Sequence, residues 1–174
     1  MNYDFDVAAE LGEQGSHYGA NVSTIEYREI HCEIPDLVVM TPEEYEENPR
    51  KYDAVLSISS LEHDGMGRYG DPINPNGDLE AMSRLKNFLK PNGVLFLAVP
   101  MGPDAVVWNA HRIYGRKRFP LLIDGWEVVD SFGYDESIYD LRVGRWDVQP
   151  IWVLSNGLRH HNLEACPISS EISS

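Results

Sequence analysis

The sequence contains few cysteines and no long apolar run. The two cysteines among its 174 residues, Cys32 and Cys166, lie far apart and without metal-type spacing, which is typical of a reduced cytosolic protein. No apolar run approaches the roughly 20 residues of a membrane span. The acidic amino terminus lacks the basic and apolar regions of a signal peptide. We therefore expect a cytoplasmic protein that is not inserted in a membrane.

Basic residues are scarce as well. The 14 lysines and arginines are outnumbered by 28 aspartates and glutamates, so the formal net charge is -14. Such a surface repels phosphate backbones and anionic membranes, which disfavours a nucleic-acid or membrane partner and favours a small-molecule substrate. A hydrophobic fraction of 43% argues against disorder, and the length favours one domain. We assign residues 1–20 to an irregular or degraded N-terminal segment, 21–156 to the domain and 157–174 to a polar tail.

Apolar runs and alternating patterns predict six strands. They lie near residues 22–27, 37–41, 53–58, 93–99, 126–132 and 149–155. Strands that alternate with helices indicate an α/β fold with a mostly parallel sheet and right-handed crossovers. We expect all six strands to share one sheet, and the last two, which have no helix between them, to pair antiparallel. A short helix is predicted at residues 119–123.

Two longer helices are predicted between the strands. Thr41 is the N-cap of the first, with Pro42 in its first turn and Glu44 completing a capping box. Asp78 is the predicted N-cap of the second, which ends at residues 91–93. Its buried face has the spacing of one side of a helix: Leu79, Met82, Leu85 and Leu89.

Two polar loops follow predicted strands. Residues 57–72 are dense in glycine, proline and ionisable side chains, and residues 109–115 come after the strand at 93–99. Because the carboxyl ends of parallel strands meet at one edge of a sheet, we expect both loops to face one crevice and to bring His63 near His111. The alternative is a pair of ordinary surface loops.

Several segments resemble the later strands of a class I S-adenosylmethionine-dependent methyltransferase. Residues 22–27 are similar to the second strand, 52–57 with 61–63 to the fourth strand and its loop, 89–95 to a helix, turn and fifth strand, and 125–129 with 150–153 to the closing pair. The resemblance covers about residues 20–155. It implies a Rossmann-like sheet flanked by helices, with S-adenosylmethionine as the cofactor.

Three shorter motifs resemble a methyltransferase-like family known only as a domain of unknown function. They are residues 59–63, 67–72 and 109–115, where several rare residues occur in the same order. The chain departs from class I methyltransferases in one respect. Residues 12–20 hold three glycines, but no apolar strand precedes them, as the first strand and glycine-rich loop of these enzymes require. We expect the first strand to be missing, either because the chain is a fragment or because it has diverged, and hence S-adenosylmethionine to bind weakly or not at all.

The resemblance assigns three residues to the cofactor. Glu26 ends the second strand, where a carboxylate can accept hydrogen bonds from both ribose hydroxyls; its alternative role is that of a solvated surface group. Ser59 and Glu62, in the loop after the strand at 53–58, are the other two.

Two histidines are the candidate catalytic residues. His63 lies near the carboxyl end of the strand at 53–58, where an imidazole can act as a base near neutral pH, and His111 is expected beside it. A capping or structural histidine is the alternative interpretation. Substrate-binding roles are predicted for Arg68, Tyr69, Asp71, Asn109, Arg112 and Tyr114. In the alternative interpretation, each arginine pairs with a carboxylate of this acidic protein.

No metal site is predicted, because the available ligands lack the regular spacing of a zinc helix. These ligands are His63, Asp64, Asp71, Asp78 and His111. The sequence thus predicts an S-adenosylmethionine-dependent methyltransferase-like protein for a small polar or saccharide-type acceptor, either active or inactive as this chain. Two alternatives stay open: a non-catalytic remnant of the fold that serves as a binding or scaffold module, and a metal-dependent enzyme on a similar sheet.

Overall fold

The computed structural model of the chain describes residues 19–25 and 37–157. The strands in these ranges are β1 (Ser23–Ile25), β2 (Val38–Met40), β3 (Tyr52–Ile58), β4 (Leu89–Ala98), β5 (Ala105–Val107), β6 (His111–Ile113), β7 (Glu127–Phe132) and β8 (Ile151–Ser155). The α-helices there are α1 (Pro42–Glu47), α2 (Gly77–Leu85) and α3 (Arg118–Leu122). The protein is therefore a mixed α/β structure. The predictions for Glu26, for residues 12–18 and for the tail beyond residue 157 lie outside the described residues.

The main sheet has four strands in the order β3-β4-β8-β7. Strands β3 and β4 are parallel, whereas β8 is antiparallel to both of its neighbours, β4 and β7. The predicted antiparallel pairing of the last two strands is confirmed. The sheet is mixed, because β3, β4 and β7 run in one direction and β8 runs in the opposite direction. A parallel pair needs a crossover that usually contains an α-helix, whereas the segment between β7 and β8 contains a 3-10 turn at Glu136–Asp140 and no α-helix.

The prediction that all six strands share one sheet is wrong. In the part of the chain that the structure describes, β1 and β2 pair only with each other, in a parallel two-stranded sheet with Ser23 opposite Val38. Each of these strands has three residues. A local pattern identifies an extended segment, but it does not identify the partner of that segment. The hairpin of β5 and β6 is a further small sheet that the pattern does not predict.

Two of the three described α-helices begin where the sequence predicted, to within one residue. Thr41 caps α1 and forms the predicted capping box with Glu44, an arrangement that stabilises a helix by about 1 kcal/mol. Helix α3 falls within one residue of the predicted 119–123. The N-cap of α2 is Asn76 and not Asp78, whose side chain makes buried contacts elsewhere. Helix α2 also ends earlier than predicted, so that Leu89 begins β4.

The core lies between the main sheet and helices α2 and α3. Leu95 and Leu97 of β4 are fully buried and pack with Leu154 of β8 in one apolar cluster. Met82 of α2 and Phe119 of α3 belong to the same cluster. Each fully buried aliphatic or aromatic side chain contributes roughly 1.5–3 kcal/mol. This packing fixes β3 and β4 side by side and holds the start of the loop that follows each strand.

Within the described ranges, none of the helices combines the length and the apolar character that a membrane span requires.

Candidate functional site

The segment after β3 is folded tightly against itself. It begins with a 3-10 turn at Leu61–His63 and reaches α2 at Gly77. Gly65 has a positive φ of 74°, and a Cβ atom there would lie 2.1 Å from the backbone oxygen of Asn74. The amide of Asn74 in turn donates to the carbonyl oxygen of Gly65 at 2.9 Å. Gly65 therefore allows a close contact between two backbone segments, which holds the loop in a defined conformation.

The two candidate catalytic histidines lie together. The segment after β4 leads into the hairpin of β5 and β6, and His111 is the first residue of β6. The ring centroids of His63 and His111 are 6.3 Å apart, with the ring planes at 89°. Nδ1 of His63 donates a hydrogen bond to the carbonyl oxygen of Ala110 at 2.6 Å. The predicted convergence of the two loops is confirmed.

His111 presents a polar atom that the described part of the protein does not satisfy. Within the described residues, its buried Nε2 atom has no hydrogen-bond partner. Burial lowers the pKa of His111 below its ordinary value, and the nearby His63 and Arg68 lower it further. The imidazole is therefore neutral at pH 7, the form in which it can accept a proton.

The two described cofactor candidates bond to each other. Ser59, at a positive φ of 51°, donates from its hydroxyl to Oε1 of Glu62 at 2.7 Å. The Ser59 hydroxyl also accepts from Nε2 of Gln149 at 3.1 Å. Glu62 is buried, and its Oε1 lies 3.7 Å from Nε2 of His63. Glu62 is thus buried against Ser59 and His63 and does not fit direct contact with S-adenosylmethionine, whereas Ser59 is partly exposed.

Arg112, a predicted substrate residue, is buried beneath the loop. Its Nη1 donates to the carbonyl oxygen of Asp64 at 2.6 Å, and its Nη2 donates to that of Asn74 at 3.2 Å. Its Nε lies 3.7 Å from Oδ1 of Asp78. The guanidinium thus holds two parts of the segment after β3 together. This geometry favours the alternative, structural interpretation of Arg112 over contact with a substrate.

Asp78 is the centre of a buried polar network that includes Tyr114. The Tyr114 hydroxyl donates to Oδ2 of Asp78 at 3.0 Å, and Arg118 donates to both carboxylate oxygens, at 2.9 and 2.5 Å. Burial raises the pKa of Tyr114 well above its ordinary value, and the Asp78 carboxylate raises it further. Tyr114 is fully buried, so its position favours support of the loop over contact with a substrate.

The remaining predicted substrate residues lie nearer the surface. Asp71 accepts hydrogen bonds from the amides of Gly67 and Tyr69. Burial opposes ionisation of this carboxyl, but the backbone hydrogen bonds outweigh it and lower its pKa. The guanidinium of Arg68 lies 5.7 Å from the ring centroid of Tyr69. Asn109 is exposed at a positive φ of 50° in the turn between β5 and β6.

Asp64 is a titratable group that the sequence suggested only as one of five available metal ligands. Burial raises its pKa to about 6, and the nearby Asp71 and Asp78 add to this effect, whereas Arg84 and Arg112 oppose it. Its position next to His63 in the chain was visible in the sequence, but the burial that shifts its pKa was not. Gln149 and Arg118 are further contributors that no sequence motif indicated, because their partners are 90 and 40 residues away.

No group of three or more histidine, cysteine, aspartate or glutamate side chains that could hold a metal ion is found in residues 19–25 and 37–157.

Comparison with protein families places the two loops in a recognised sequence family. The family model described as "Caenorhabditis protein of unknown function, DUF268" matches residues 17–149, which include both loops. This match covers more than half of the chain, so the protein belongs to the DUF268 family. A search of the curated proteins finds no match.

Proposed function

We propose that this chain is an S-adenosylmethionine-dependent methyltransferase-like protein that binds a small polar acceptor at the paired histidines. The observation that carries the proposal is the convergence of His63 and His111, at a ring separation of 6.3 Å, from the segments that follow two parallel strands. Ligands of open α/β sheets bind at this edge. The sheet order supports the methyltransferase resemblance, since the strands matched to the fourth and fifth strands are parallel neighbours and the closing pair is antiparallel. A Rossmann-like fold is part of the proposal.

The described residues account for the acceptor side of such a reaction. His111 is neutral near pH 7 and has a buried Nε2 atom without a partner in the described part of the chain. An acceptor hydroxyl that donated to this atom would satisfy it and would place its proton on a general base. His63 is held by its bond to Ala110, so its ring orients the acceptor. S-adenosylmethionine would supply the methyl group when bound, and the described residues would act on the acceptor alone.

A second candidate function is a binding module of the same fold without catalysis. The burial of Glu62 favours it, because it removes one of the three predicted cofactor contacts from reach of a ligand. The site at the histidines is the same in both candidates. They differ in whether the chain binds the methyl donor.

Calorimetric titration of the full chain with S-adenosylmethionine separates the two candidates. Weak but measurable binding that falls further in Glu26→Gln supports the methyltransferase-like function, since glutamine keeps the shape of the side chain but removes its charge and one acceptor oxygen. If no binding is detected at about 10 mM cofactor, the dissociation constant is too high for a functional cofactor, and this result supports the binding module. If Glu26→Gln leaves the affinity for S-adenosylmethionine unchanged, Glu26 is a solvated surface group and not a ribose ligand.

A further inference from the structure

Three exposed aromatic residues lie in chain segments that contact the histidine site. Two of the four tryptophans of the chain are largely exposed: Trp108 at 78% and Trp146 at 60%. Tyr69 is exposed at 46%. By contrast, Trp152 is buried in the core at 7%. A large aromatic surface in water is unfavourable for an isolated domain, and exposed apolar groups that gather in one place mark binding sites.

The segment that carries each of these aromatic residues is joined to the site by a ring contact or a hydrogen bond. The Tyr69 ring packs edge-on against His63, with a centroid distance of 5.7 Å. Trp108 belongs to the three-residue turn between β5 and β6, two residues before Ala110, the carbonyl partner of His63.

Trp146 is linked to the site through Gln149. The carbonyl oxygen of Trp146 accepts from Nε2 of Gln149 at 3.2 Å, and the same nitrogen donates to the Ser59 hydroxyl. Three separate segments, each of which carries an exposed aromatic residue, thus meet at one polar site.

We propose that Trp108 and Trp146, together with Tyr69, form the stacking surfaces of an uncharged-saccharide subsite beside the paired histidines. The inference rests on the proposed function, of which it specifies the acceptor class. A pyranose has an apolar C–H face and a rim of hydroxyl groups. Aromatic rings combine apolar contact with little conformational entropy, so they suit the face of the sugar.

The polar groups of the site suit the rim of the sugar. Nε2 of His111 lacks a partner among the described residues, and the side chains of Arg68 and Asn109 are exposed beside it in the chain segments that form the site. A few polar groups with apolar walls are the usual composition of a small-molecule site. The net charge of -14 disfavours anionic sugars and nucleic acid, whose bases also stack on aromatic rings. An uncharged saccharide is the ligand that fits both features.

The test is saccharide binding by the full chain, with S-adenosylmethionine left out. The probes are cellotetraose, chitotetraose and maltotetraose, and binding is followed by quenching of tryptophan fluorescence and by calorimetry. We expect at least one of the three to bind. Trp108→Ala and Trp146→Ala should each weaken that binding by about tenfold or more. Leu121→Ala is the control, because Leu121 is a similarly exposed apolar residue of α3 with no link to the site, and it should leave binding unchanged.

Three outcomes would overturn the inference. One is that none of the probes binds at about 10 mM, the upper limit of a meaningful affinity. Another is that a probe binds equally well to the wild type and to both tryptophan variants, with circular dichroism showing that all are folded. The third is that the chain binds phosphatidylcholine vesicles through Trp108 and binds no saccharide, which assigns the aromatic residues to a lipid surface. Methyl transfer is assayed separately. Saccharide binding without methyl transfer would support this inference and contradict the proposed function, whereas methyl transfer to another acceptor without saccharide binding would do the opposite.

Discussion

The hydrogen bond from Nδ1 of His63 to the carbonyl oxygen of Ala110, at 2.6 Å, connects two loops that are 47 residues apart in the chain. A carbonyl oxygen can only accept, so the bond places a proton on Nδ1 of His63. Nε2 of the same ring lies 3.7 Å from the buried carboxylate of Glu62. One bond therefore sets both the orientation and the tautomer of a site residue, and it fixes the hairpin of β5 and β6 over the loop that follows β3.

Replacement of Arg112 tests whether it supports the loop. Arg112→Met should lower the free energy of unfolding by about 3 kcal/mol, because it leaves the buried carbonyl oxygens of Asp64 and Asn74 without a donor and leaves Arg118 as the remaining cation beside the Asp78 carboxylate. Urea denaturation followed by tryptophan fluorescence measures the change. Arg145→Met removes an exposed ion pair to Asp147 and should leave the urea midpoint where it is. Equal midpoints for both variants would show that Arg112 is not a structural residue.

Alanine substitutions at two glycines with the same φ distinguish the cost of backbone strain from the cost of steric contact. Gly65 and Gly133 both have φ near 74°, but a Cβ at Gly65 would lie 2.1 Å from a backbone oxygen, whereas a Cβ at Gly133 would meet nothing within 4 Å. Gly133→Ala should cost about 1 kcal/mol from the left-handed backbone alone. Gly65→Ala should cost about 3 kcal/mol, since overpacking against the backbone is added. Thermal unfolding of the two variants would contradict this account of the loop if their costs were the same.

Asp64 predicts a pH dependence of stability with a definite sign. Its carboxyl has a pKa of 3.8 when unperturbed and about 6 in the folded chain, mainly because it is buried. Between these values the folded state binds more protons than the unfolded state, so the contribution of Asp64 to stability falls as the pH rises through this window. Asp64→Asn mimics the neutral form. At pH 7 it should be more stable than the wild type by about 2 kcal/mol, after allowance for solvent screening.

The same variant supplies its own test at low pH. At pH 4 the wild-type carboxyl is largely protonated, and the stability difference between Asp64→Asn and the wild type should nearly vanish. Urea titrations of both proteins at pH 4, 5, 6 and 7 measure the difference. A constant difference over this range would show that Asp64 is not titrating with a raised pKa.

The ring of His111 should titrate below its ordinary pKa of 6.5, because it is partly buried beside His63 and Arg68. The chemical shift of its Cε1 proton, followed by NMR over pH 4 to 8, gives the midpoint directly. Arg68→Gln removes one nearby positive charge and should move the midpoint upward. A wild-type midpoint at or above 6.5 would remove the argument that His111 is a neutral base at pH 7.

Local signals predicted much of this fold, and their limits have physical causes. Thr41, Pro42 and Glu44 predicted α1 correctly because a capping box is complete within four residues. The convergence of His63 and His111 followed from the rule that parallel strands share an edge. The prediction that Asp78 is the N-cap of α2 was wrong, because an aspartate can serve equally as a helix cap or as a partner in a buried ion pair. The partners that decide between these roles, Tyr114 and Arg118, are 36 and 40 residues away. The separate pairing of β1 and β2 was missed for the same reason, since strand partners depend on contacts that no local window contains.

The sequence also did not predict which site residues are exposed to solvent and which are buried. Arg112 and Tyr114 lie in one motif with Asn109, and the pattern treated all three alike. In the structure, Asn109 is exposed in a turn while Arg112 and Tyr114 are buried, because the chain passes from the hairpin turn into β6 and then towards the core. Trp108 and Trp146 gave no signal as site residues, since neither the burial of a tryptophan nor its neighbours can be deduced from its position in a loop.

Transfer of a labelled methyl group tests the central claim most directly. The full chain is incubated with S-adenosylmethionine labelled on the methyl group, at a millimolar concentration because weak binding is expected, and with the saccharide that binds best. The account predicts labelled saccharide with the wild type and a loss of about a hundredfold or more in His111→Gln, the typical contribution of a general base, with Leu121→Ala fully active. Absence of labelled product with the wild type, or equal product from the wild type and a folded His111→Gln, would contradict the proposal that the paired histidines form the acceptor site of a methyltransferase-like protein.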